Sequence, residues 1–247
     1  MSSPPGFRLG RRPELDGLRG VAIILVLTSH VVAYETGARL DALGAAGVEV
    51  FFALSGFLIT ALLLEERAEG RVRLSRFYER RARRLLPALA LILGALLALR
   101  AVMATNITPT IQPTLFYYAN WSMISGRDLG SLDPTWSLAV EEQFYLVWPL
   151  VLLLALRWRR GPVVVASVVI IASTALRFAL ADPVRVHAGS DTQAGPLVIG
   201  ALLAILAPCL RPLRLPRPDL SSCPCSSGPR RPLTTSPSAW CRPSCHC

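Results

Sequence analysis

The residues that could take part in catalysis include two adjacent carboxylates near the start of an apolar segment. Glu141 and Glu142 interrupt PTWSLAVEEQFYLVWPL, a segment that is otherwise mostly apolar. The apolar residues continue to position 156. Ionisable side chains inside a membrane segment are costly and usually functional. The helix dipole favours negative charge at a helix N-terminus, which explains one carboxylate well and two poorly. On a helix Glu141 shares a face with Tyr145, whereas Glu142 points about 100° away.

A second pair of candidate residues lies in ELDGLRGVAIILVLTSH. Arg19 and His30 are eleven positions apart, which places them on one face of a helix and roughly 16 Å apart along its axis. Histidine changes charge near neutral pH and is the side chain best suited to general-base work. A core histidine satisfied by a neighbouring helix would give the same pattern, so both interpretations stay open.

Two further motifs each allow a functional and a structural interpretation. Ser55 and Gly56, in VEVFFALSGFLIT, permit close approach of a neighbouring backbone, which plain small-residue packing would also require. Arg81 and Arg84 belong to the cluster SRFYERRARRLLP, and arginine binds phosphate in bidentate fashion. The positive charges of this cluster could instead serve only to set the orientation of the chain in the membrane. The Pro87 that follows is tolerated in the first turn of a helix.

The elements that must position these residues are six apolar runs. Hydrophobic residues make up 52% of the 247 positions and charged residues 17%, against about a quarter charged in a soluble domain. Each run has roughly the 17 to 25 residues needed to span a bilayer. The sequence therefore predicts an all-α, polytopic transmembrane helical bundle with about six membrane spans. The runs are 18–34, 48–64, 85–104, 138–156, 162–181 and 195–210.

The charges between these runs predict the orientation of the chain. All 26 basic residues are arginine and the net charge is +10. Arginine-rich and arginine-poor loops alternate, with eight arginines in 65–84 and one in 105–137. The positive-inside rule then places the N-terminus in the cytoplasm of a multi-pass protein of the inner or plasma membrane. A nucleic-acid partner is not expected, because its basic residues would not lie between long apolar runs.

The end of the chain changes composition abruptly. Residues 216–247 are rich in Pro, Ser, Arg and Cys, with five of the six cysteines of the chain. The cluster CRPSCHC could hold a metal or a disulfide. Almost no apolar residues surround it, and disulfides are rare in the reducing cytoplasm. We therefore expect a membrane part over 1–215 and a disordered or frameshifted tail over 216–247, without a metal site.

Four blocks in register resemble the signature of acyltransferase family 3, the membrane O-acyltransferases that modify surface polysaccharides and related glycosides. They are ELDGLRGVAIILVLTSH, FFALSGFLIT, FYERRARRLLPAL and PTWSLAVEEQFYLVWPL. The spacing from Arg19 to His30 is similar to the family's Arg-x10-His, and Arg81 and Arg84 match its Arg-x-x-Arg. The stretches YYANW and SDTQAGPLVIGALLA are also similar, except that Gln193 and Gly195 stand where members often carry Arg and Asp.

The resemblance implies transfer of an acyl group, most simply acetyl, from cytoplasmic acyl-CoA to a hydroxyl of a carbohydrate or glycoside. It implies His30 as general base or transient acyl carrier, with Glu141 orienting it or stabilising its charge. Arg19, Arg81 and Arg84 would bind donor phosphates at the cytoplasmic rim, with the two catalytic residues toward the outer side. The remaining candidate binding residues of these blocks are Asp16, Ser55, Gly56, Trp136, Glu142 and Tyr145.

Two other functions stay open at this stage. The family has roughly ten helices of spanning length, so the chain is expected to be a member cut short after its N-terminal part. An inactive, truncated remnant of the family is therefore one alternative. A small proton-coupled transporter is the other, because such proteins also use intramembrane His and Glu. A transporter predicts an internal repeat between halves, and none is seen.

Overall fold

The computed structural model describes residues 13–36, 41–70, 72–103 and 108–208. Within these ranges the chain is helical and forms no strand. The predicted tail over 216–247 and the predicted boundary at residue 215 lie outside the described residues. The helices are α1 Pro13–Thr36, α2 Asp41–Ala68, α3 Leu74–Met103, α4 Thr108–Leu115, α5 Ala119–Ile124, α6 Thr135–Ala155, α7 Gly161–Ala179, α8 Pro183–Ala188 and α9 Ala194–Leu206.

The predicted helical membrane bundle is confirmed. Among the described residues, four helices are long and apolar enough to cross a bilayer: α1, α2, α6 and α7. The other two predicted runs are also helical where they are described. One forms the apolar half of the 30-residue α3, and the other forms the 13-residue α9. The chain is thus a multi-pass membrane protein.

The distribution of side chains is that of a protein surrounded by lipid. Large apolar side chains point outward, with Leu91 75% and Ile171 67% exposed. Polar side chains such as Thr60 and Ser55 are fully buried inside the bundle. In water this arrangement would be unfavourable, because exposed apolar area costs free energy. In a bilayer the lipid covers the apolar face, and the interior must satisfy its own polar groups.

Glycines bring α2 and α9 into close contact at the centre of the bundle. A Cβ atom added at Gly56 would lie 1.8 Å from the carbonyl oxygen of Leu197, and one at Gly200 would lie 1.8 Å from that of Ala53. The two helices therefore touch backbone to backbone, as small-residue interfaces allow in membranes. Of the two interpretations of Gly56, the structure supports helix packing, and it does not support the binding role given to it above.

Replacing Gly56 with alanine is expected to lower the melting temperature of the protein in detergent by several degrees. The added methyl group cannot fit unless α2 and α9 separate, and overpacking of this kind costs about 1 to 3 kcal/mol. Gly94 on α3 is the matched control, because a Cβ there meets no atom within 4 Å. Gly94→Ala should be neutral or slightly stabilising. Equal melting temperatures for the two variants would contradict this packing.

The third helix begins earlier than the sequence suggested. Pro87 was expected in its first turn, but α3 begins at Leu74 and Pro87 lies in its interior. The arginine-rich stretch is itself helical because Arg, Glu and Leu are good helix formers. An ion pair one turn apart, Glu79 with Arg83 at 2.6 Å, adds to this. The first half of α3 consequently reaches α6 through its side chains, and the hydroxyl of Tyr78 donates to the Leu146 carbonyl at 3.0 Å.

Candidate active site

A buried carboxylate lies at the centre of the candidate site. Glu141 is in the second turn of α6 and is only 6% exposed. The hydroxyl of Tyr145, one turn further along, donates to Glu141 Oε1 at 3.4 Å. The shared face of these two residues was predicted from their spacing and is confirmed. A carboxylate removed from water in this way needs further polar partners to remain stable.

Ser55 and Arg19 supply those partners from two other helices. Ser55 of α2 is fully buried and lies close to the Glu141 side chain. Arg19 of α1 donates from Nη2 to Ser55 Oγ at 3.1 Å, and its guanidinium lies 5.4 Å from the ring centre of Phe51. Arg19 Nε is buried and has no hydrogen-bond partner among the described residues. The hydroxyl of Ser55 thus binds the cation of α1 next to the carboxylate of α6.

The second carboxylate of the pair is bound by an arginine of α3. Arg81 donates from Nε to Glu142 Oε2 at 2.9 Å, and its Nη2 forms an ion pair with Glu142 Oε1. The guanidinium carbon also lies 3.4 Å from the ring centre of Tyr145. This bidentate geometry is the strong form of the arginine–carboxylate pair, and the stacking adds a cation–π contact. We call the six residues Arg19, Ser55, Arg81, Glu141, Glu142 and Tyr145 the polar cluster.

The polar cluster contradicts the layout expected from the sequence. The arginines were placed at the cytoplasmic rim and the carboxylates toward the outer side, yet Arg81 contacts Glu142 directly. Both arginines lie well inside their helices. Arg19 is six residues into α1 and Arg81 seven into α3, which corresponds to about 10 Å along each axis. Cations and carboxylates therefore meet at one level, and the four charges balance.

His30 lies apart from the polar cluster, on the open face of α1. It is exposed, and among the described residues no hydrogen bond joins it to Glu141. Its Nδ1 lies 2.8 Å from the Val26 carbonyl oxygen. Because a carbonyl can only accept, this contact fixes the proton on Nδ1 and leaves the Nε2 lone pair directed outward. That tautomer is the one a general base or nucleophile requires at Nε2.

A groove of about 190 Å³ lies beside the stretch of α1 between Arg19 and His30, although neither of these two residues lines it. It lies between α1 and α2, next to the start of α6. Ile23, Val26 and Leu27 of α1 line it, and these residues share the helix face of Arg19 and His30. Phe51, which contacts the Arg19 guanidinium, forms part of the opposite wall. The common face predicted from the eleven-residue spacing is therefore the face that borders a cavity.

A second polar network lies beneath α8, and the sequence did not single out its residues. Asn120 is fully buried and donates from Nδ2 to the Ala188 carbonyl at 3.1 Å and to Ser190 Oγ at 2.9 Å. Gln143, directly after the two carboxylates, donates to Asn120 Oδ1 at 3.0 Å. Its Oε1 accepts from the indole of Trp121 at 3.3 Å. The YYANW block was the available signal, because a polar amide within an apolar block must find partners.

The segment that departs from the family pattern is held by two arginines. Arg177 donates to the side chain of Gln193 at 2.8 Å and to the carbonyl of Thr192 at 2.8 Å. Arg185 forms a bidentate pair with Asp191 at 2.6 and 2.7 Å. Hydrogen bonding to Arg185 lowers the pKa of the Asp191 carboxyl, although partial burial acts in the opposite direction. This ion pair therefore persists into acidic solution.

The remaining predicted residues lie outside the polar cluster. Trp136 is buried at the start of α6, where its ring is 4.3 Å from that of His187 and 6.2 Å from that of Phe52. Asp16 and Arg84 are exposed on the first turns of α1 and the middle of α3. Across the described ranges, no group of three or more potential metal ligands comes together. The cysteine cluster of the tail lies outside those ranges.

The chain is similar to bacterial acetyltransferases over most of its length. A family described as "Acyltransferase domain" matches residues 12–217. Peptidoglycan O-acetyltransferase OatA of Listeria monocytogenes is 35% identical over 217 residues, covering 79% of this chain and 34% of the relative. Putative peptidoglycan O-acetyltransferase YrhL of Bacillus subtilis is 34% identical over 220 residues, covering 81% and 34%. O-acetyltransferase OatA of Staphylococcus aureus is 32% identical over 214 residues, covering 79% and 35%.

The chain spans about a third of the length of the curated relatives that it matches. No solved structure matches it.

Proposed function

The chain belongs to acyltransferase family 3, and we propose that it is a membrane O-acyltransferase that transfers acetyl from acetyl-CoA to a carbohydrate hydroxyl. The polar cluster is the observation that carries this proposal. It buries two carboxylates and two arginines inside a membrane bundle, and such groups are expensive unless they serve a function. Every residue of the cluster comes from a block that resembles the family signature.

The donor is proposed to approach from the cytoplasmic side. The loop between α2 and α3 and the start of α3 together carry eight arginines over 65–84, and the positive-inside rule puts such a segment in the cytoplasm. Arg84, one turn beyond Arg81 on α3, is exposed and is proposed to bind the phosphates of CoA. The acyl end of the donor would then lie along the groove between α1 and α2. Arg19 lies next to Phe51, which lines this groove, and the unpaired Nε of Arg19 is suited to an oxygen acceptor on the donor.

His30 is proposed to act beyond the groove, on the same face of α1 as the residues that line it. Its Nε2 takes the proton of the acceptor hydroxyl while the hydroxyl oxygen bonds to the thioester carbonyl carbon. The carbon–sulfur bond breaks, and the proton passes from His30 to the departing CoA thiolate. Alternatively Nε2 carries the acyl group transiently before the hydroxyl attacks. Both routes require the tautomer that the Val26 carbonyl favours.

Glu141 is proposed to act through Arg19 and not through His30. Its hydrogen bond is with Tyr145, and the neighbouring Ser55 accepts from Arg19. The negative charge of Glu141 therefore compensates Arg19 inside the bundle and keeps its guanidinium at the groove. The sequence-based expectation that Glu141 orients His30 is accordingly replaced by a role in holding the cation that meets the donor.

The acceptor is proposed to be a cell-wall glycan of the peptidoglycan type. Two of the relatives are named as peptidoglycan O-acetyltransferases, one of them putatively. The outward-facing Nε2 of His30 suits a large substrate that approaches from outside the bundle. Hydroxyl groups of such a glycan are weak nucleophiles at neutral pH, which is why a positioned base is needed.

The experiment that tests this function uses the purified protein in detergent. Labelled acetyl-CoA is supplied together with soluble peptidoglycan fragments, and label on the glycan is measured before and after mild alkali. The proposal predicts alkali-labile label, as expected of an O-acetyl ester. Transfer to amino groups, which mild alkali leaves intact, would contradict it. Absence of transfer together with absence of CoA binding would favour the inactive remnant.

A further inference from the structure

We propose that Arg81 is a positioning residue and not a phosphate ligand, because its guanidinium is bound by Glu142. Together they hold the ring of Tyr145, whose hydroxyl contacts Glu141. The consequence for catalysis rests on the function proposed above, whereas the coupling between Arg81 and Glu142 does not. This assignment departs from the donor-binding role that the sequence resemblance implied for Arg81.

The contacts of Arg81 occupy the Nε/Nη2 edge of its guanidinium, one of the two edges that could bind a phosphate in bidentate fashion. Phosphate recognition by arginine uses two parallel N–H groups of the guanidinium fork. In the structure Nε and Nη2 both donate to the two oxygens of Glu142. The flat face of the same guanidinium covers Tyr145 at 3.4 Å. A phosphate could bind in the same way only by displacing Glu142.

Displacing Glu142 would be costly because the pair is largely withdrawn from solvent. The side chains of Arg81 and Glu142 are 23% and 12% exposed. Breaking such a pair leaves an uncompensated charge in a poorly solvated place, which is strongly destabilising. Arg84, one turn further along α3, is exposed instead. The two arginines of the Arg-x-x-Arg motif therefore have different roles, one toward the bundle and one toward the donor.

A continuous series of contacts leads from Glu142 to Glu141. Glu142 fixes the Arg81 guanidinium, which lies over the Tyr145 ring, and the Tyr145 hydroxyl donates to Glu141 at 3.4 Å. These residues belong to α3 and α6, so the pair also joins the two helices. Loss of the charge of Arg81 or Glu142 should remove the guanidinium that lies over the Tyr145 ring. The Tyr145 hydroxyl would then no longer be held in place to donate to Glu141. Glu142, which lies off the Tyr145 face of α6, thus acts on that face through Arg81.

The test separates positioning from phosphate binding by measuring three quantities on the same variants. Melting temperature in detergent reports the ion pair, equilibrium dialysis of labelled CoA reports donor binding, and acetyl transfer gives kcat and KM. The variants are Arg81→Ala, Glu142→Ala, the double alanine variant, the exchanged pair Arg81→Glu with Glu142→Arg, and Arg84→Ala as the matched arginine control.

Positioning predicts a specific pattern. Arg81→Ala and Glu142→Ala should each lower the melting temperature and kcat, with the Kd for CoA changed by less than about twofold. The double variant should be no worse than either single variant, and the exchanged pair should regain melting temperature over Arg81→Glu alone. Arg84→Ala should leave the melting temperature unchanged and weaken CoA binding by about tenfold.

Two results would overturn the assignment. One is a Kd for CoA that rises as much in Arg81→Ala as in Arg84→Ala, with an unchanged melting temperature. The other is strict additivity of Arg81→Ala and Glu142→Ala in melting temperature, which would mean that the side chains do not interact. Failure of the proposed function looks different. In that case the wild-type protein would transfer no acetyl, while the coupling in melting temperature would remain.

Discussion

Replacing His30 with alanine is expected to abolish acyl transfer while leaving the protein inserted and folded. A positioned general base contributes about 10²- to 10⁴-fold to such a reaction, so kcat should fall by at least the lower figure. The side chain is exposed on α1, and its Nδ1 bonds only to its own helix and to the neighbouring Ser29. Its removal therefore exposes no unpaired group in the interior, and the melting temperature should not change.

Thr28→Ala is the matched control for this variant. Thr28 is exposed on the same helix two residues earlier, on a different face. It should keep the wild-type kcat for transfer of labelled acetyl to the glycan. Near-normal transfer by His30→Ala would remove both the general-base and the acyl-carrier roles. A loss of acetyl transfer in both His30→Ala and Thr28→Ala would indicate a general effect of altering α1.

Replacing Glu141 with glutamine is expected to have the second largest effect, on transfer and on stability together. The substitution keeps the shape of the side chain but removes its charge. Arg19 and Arg81 then lie inside the bundle with one carboxylate between them, which should lower the melting temperature. Loss of a buried carboxylate that compensates nearby cations leaves those cations poorly stabilised. We expect transfer to fall about 10²-fold, since the Arg19 guanidinium loses its compensating charge at the groove.

Glu49→Gln is the control with the same chemical change. Glu49 lies on α2, pairs with Arg177 at 2.8 Å and is 49% exposed. Exposed pairs contribute about 0 to 1 kcal/mol, so this variant should resemble the wild type in both measurements. If Glu141→Gln and Glu49→Gln behave alike, Glu141 is a rim acid that complements the helix dipole, and its proposed role is wrong. A selective effect of Glu141→Gln on the Kd for CoA would identify Arg19 as its route of action.

Local periodicity predicted much of the fold and part of the site. The apolar runs identified the membrane helices, and the 3.6-residue repeat placed Arg19 with His30 and Glu141 with Tyr145 on common faces. These relations hold because they depend on one helix at a time. The same reasoning identified Gly56 as a place of close approach. It could not say what approaches, because the Leu197 carbonyl belongs to a helix more than a hundred residues away.

Contacts between side chains of different helices could not be predicted from the sequence. The pairing of Arg81 with Glu142 depends on how far α3 slides along α6, and an apolar run does not fix that register. It also depends on α3 starting at Leu74, well before its apolar part. The charges were therefore assigned to opposite ends of the bundle, where contact was not anticipated. Asn120 escaped notice for a similar reason, since its partners Gln143 and Ser190 come from distant segments.

We propose that the face of α1 that carries Arg19 and His30 transfers acetyl from cytoplasmic CoA to a glycan hydroxyl. This proposal is tested most directly in sealed, inverted membrane vesicles that carry the protein and enclose peptidoglycan fragments. Labelled acetyl-CoA is added outside, where the cytoplasmic face is exposed. We predict alkali-labile label on the enclosed glycan, lost in vesicles carrying His30→Ala. Label only on glycan added outside, or equal label with His30→Ala, would contradict the claim.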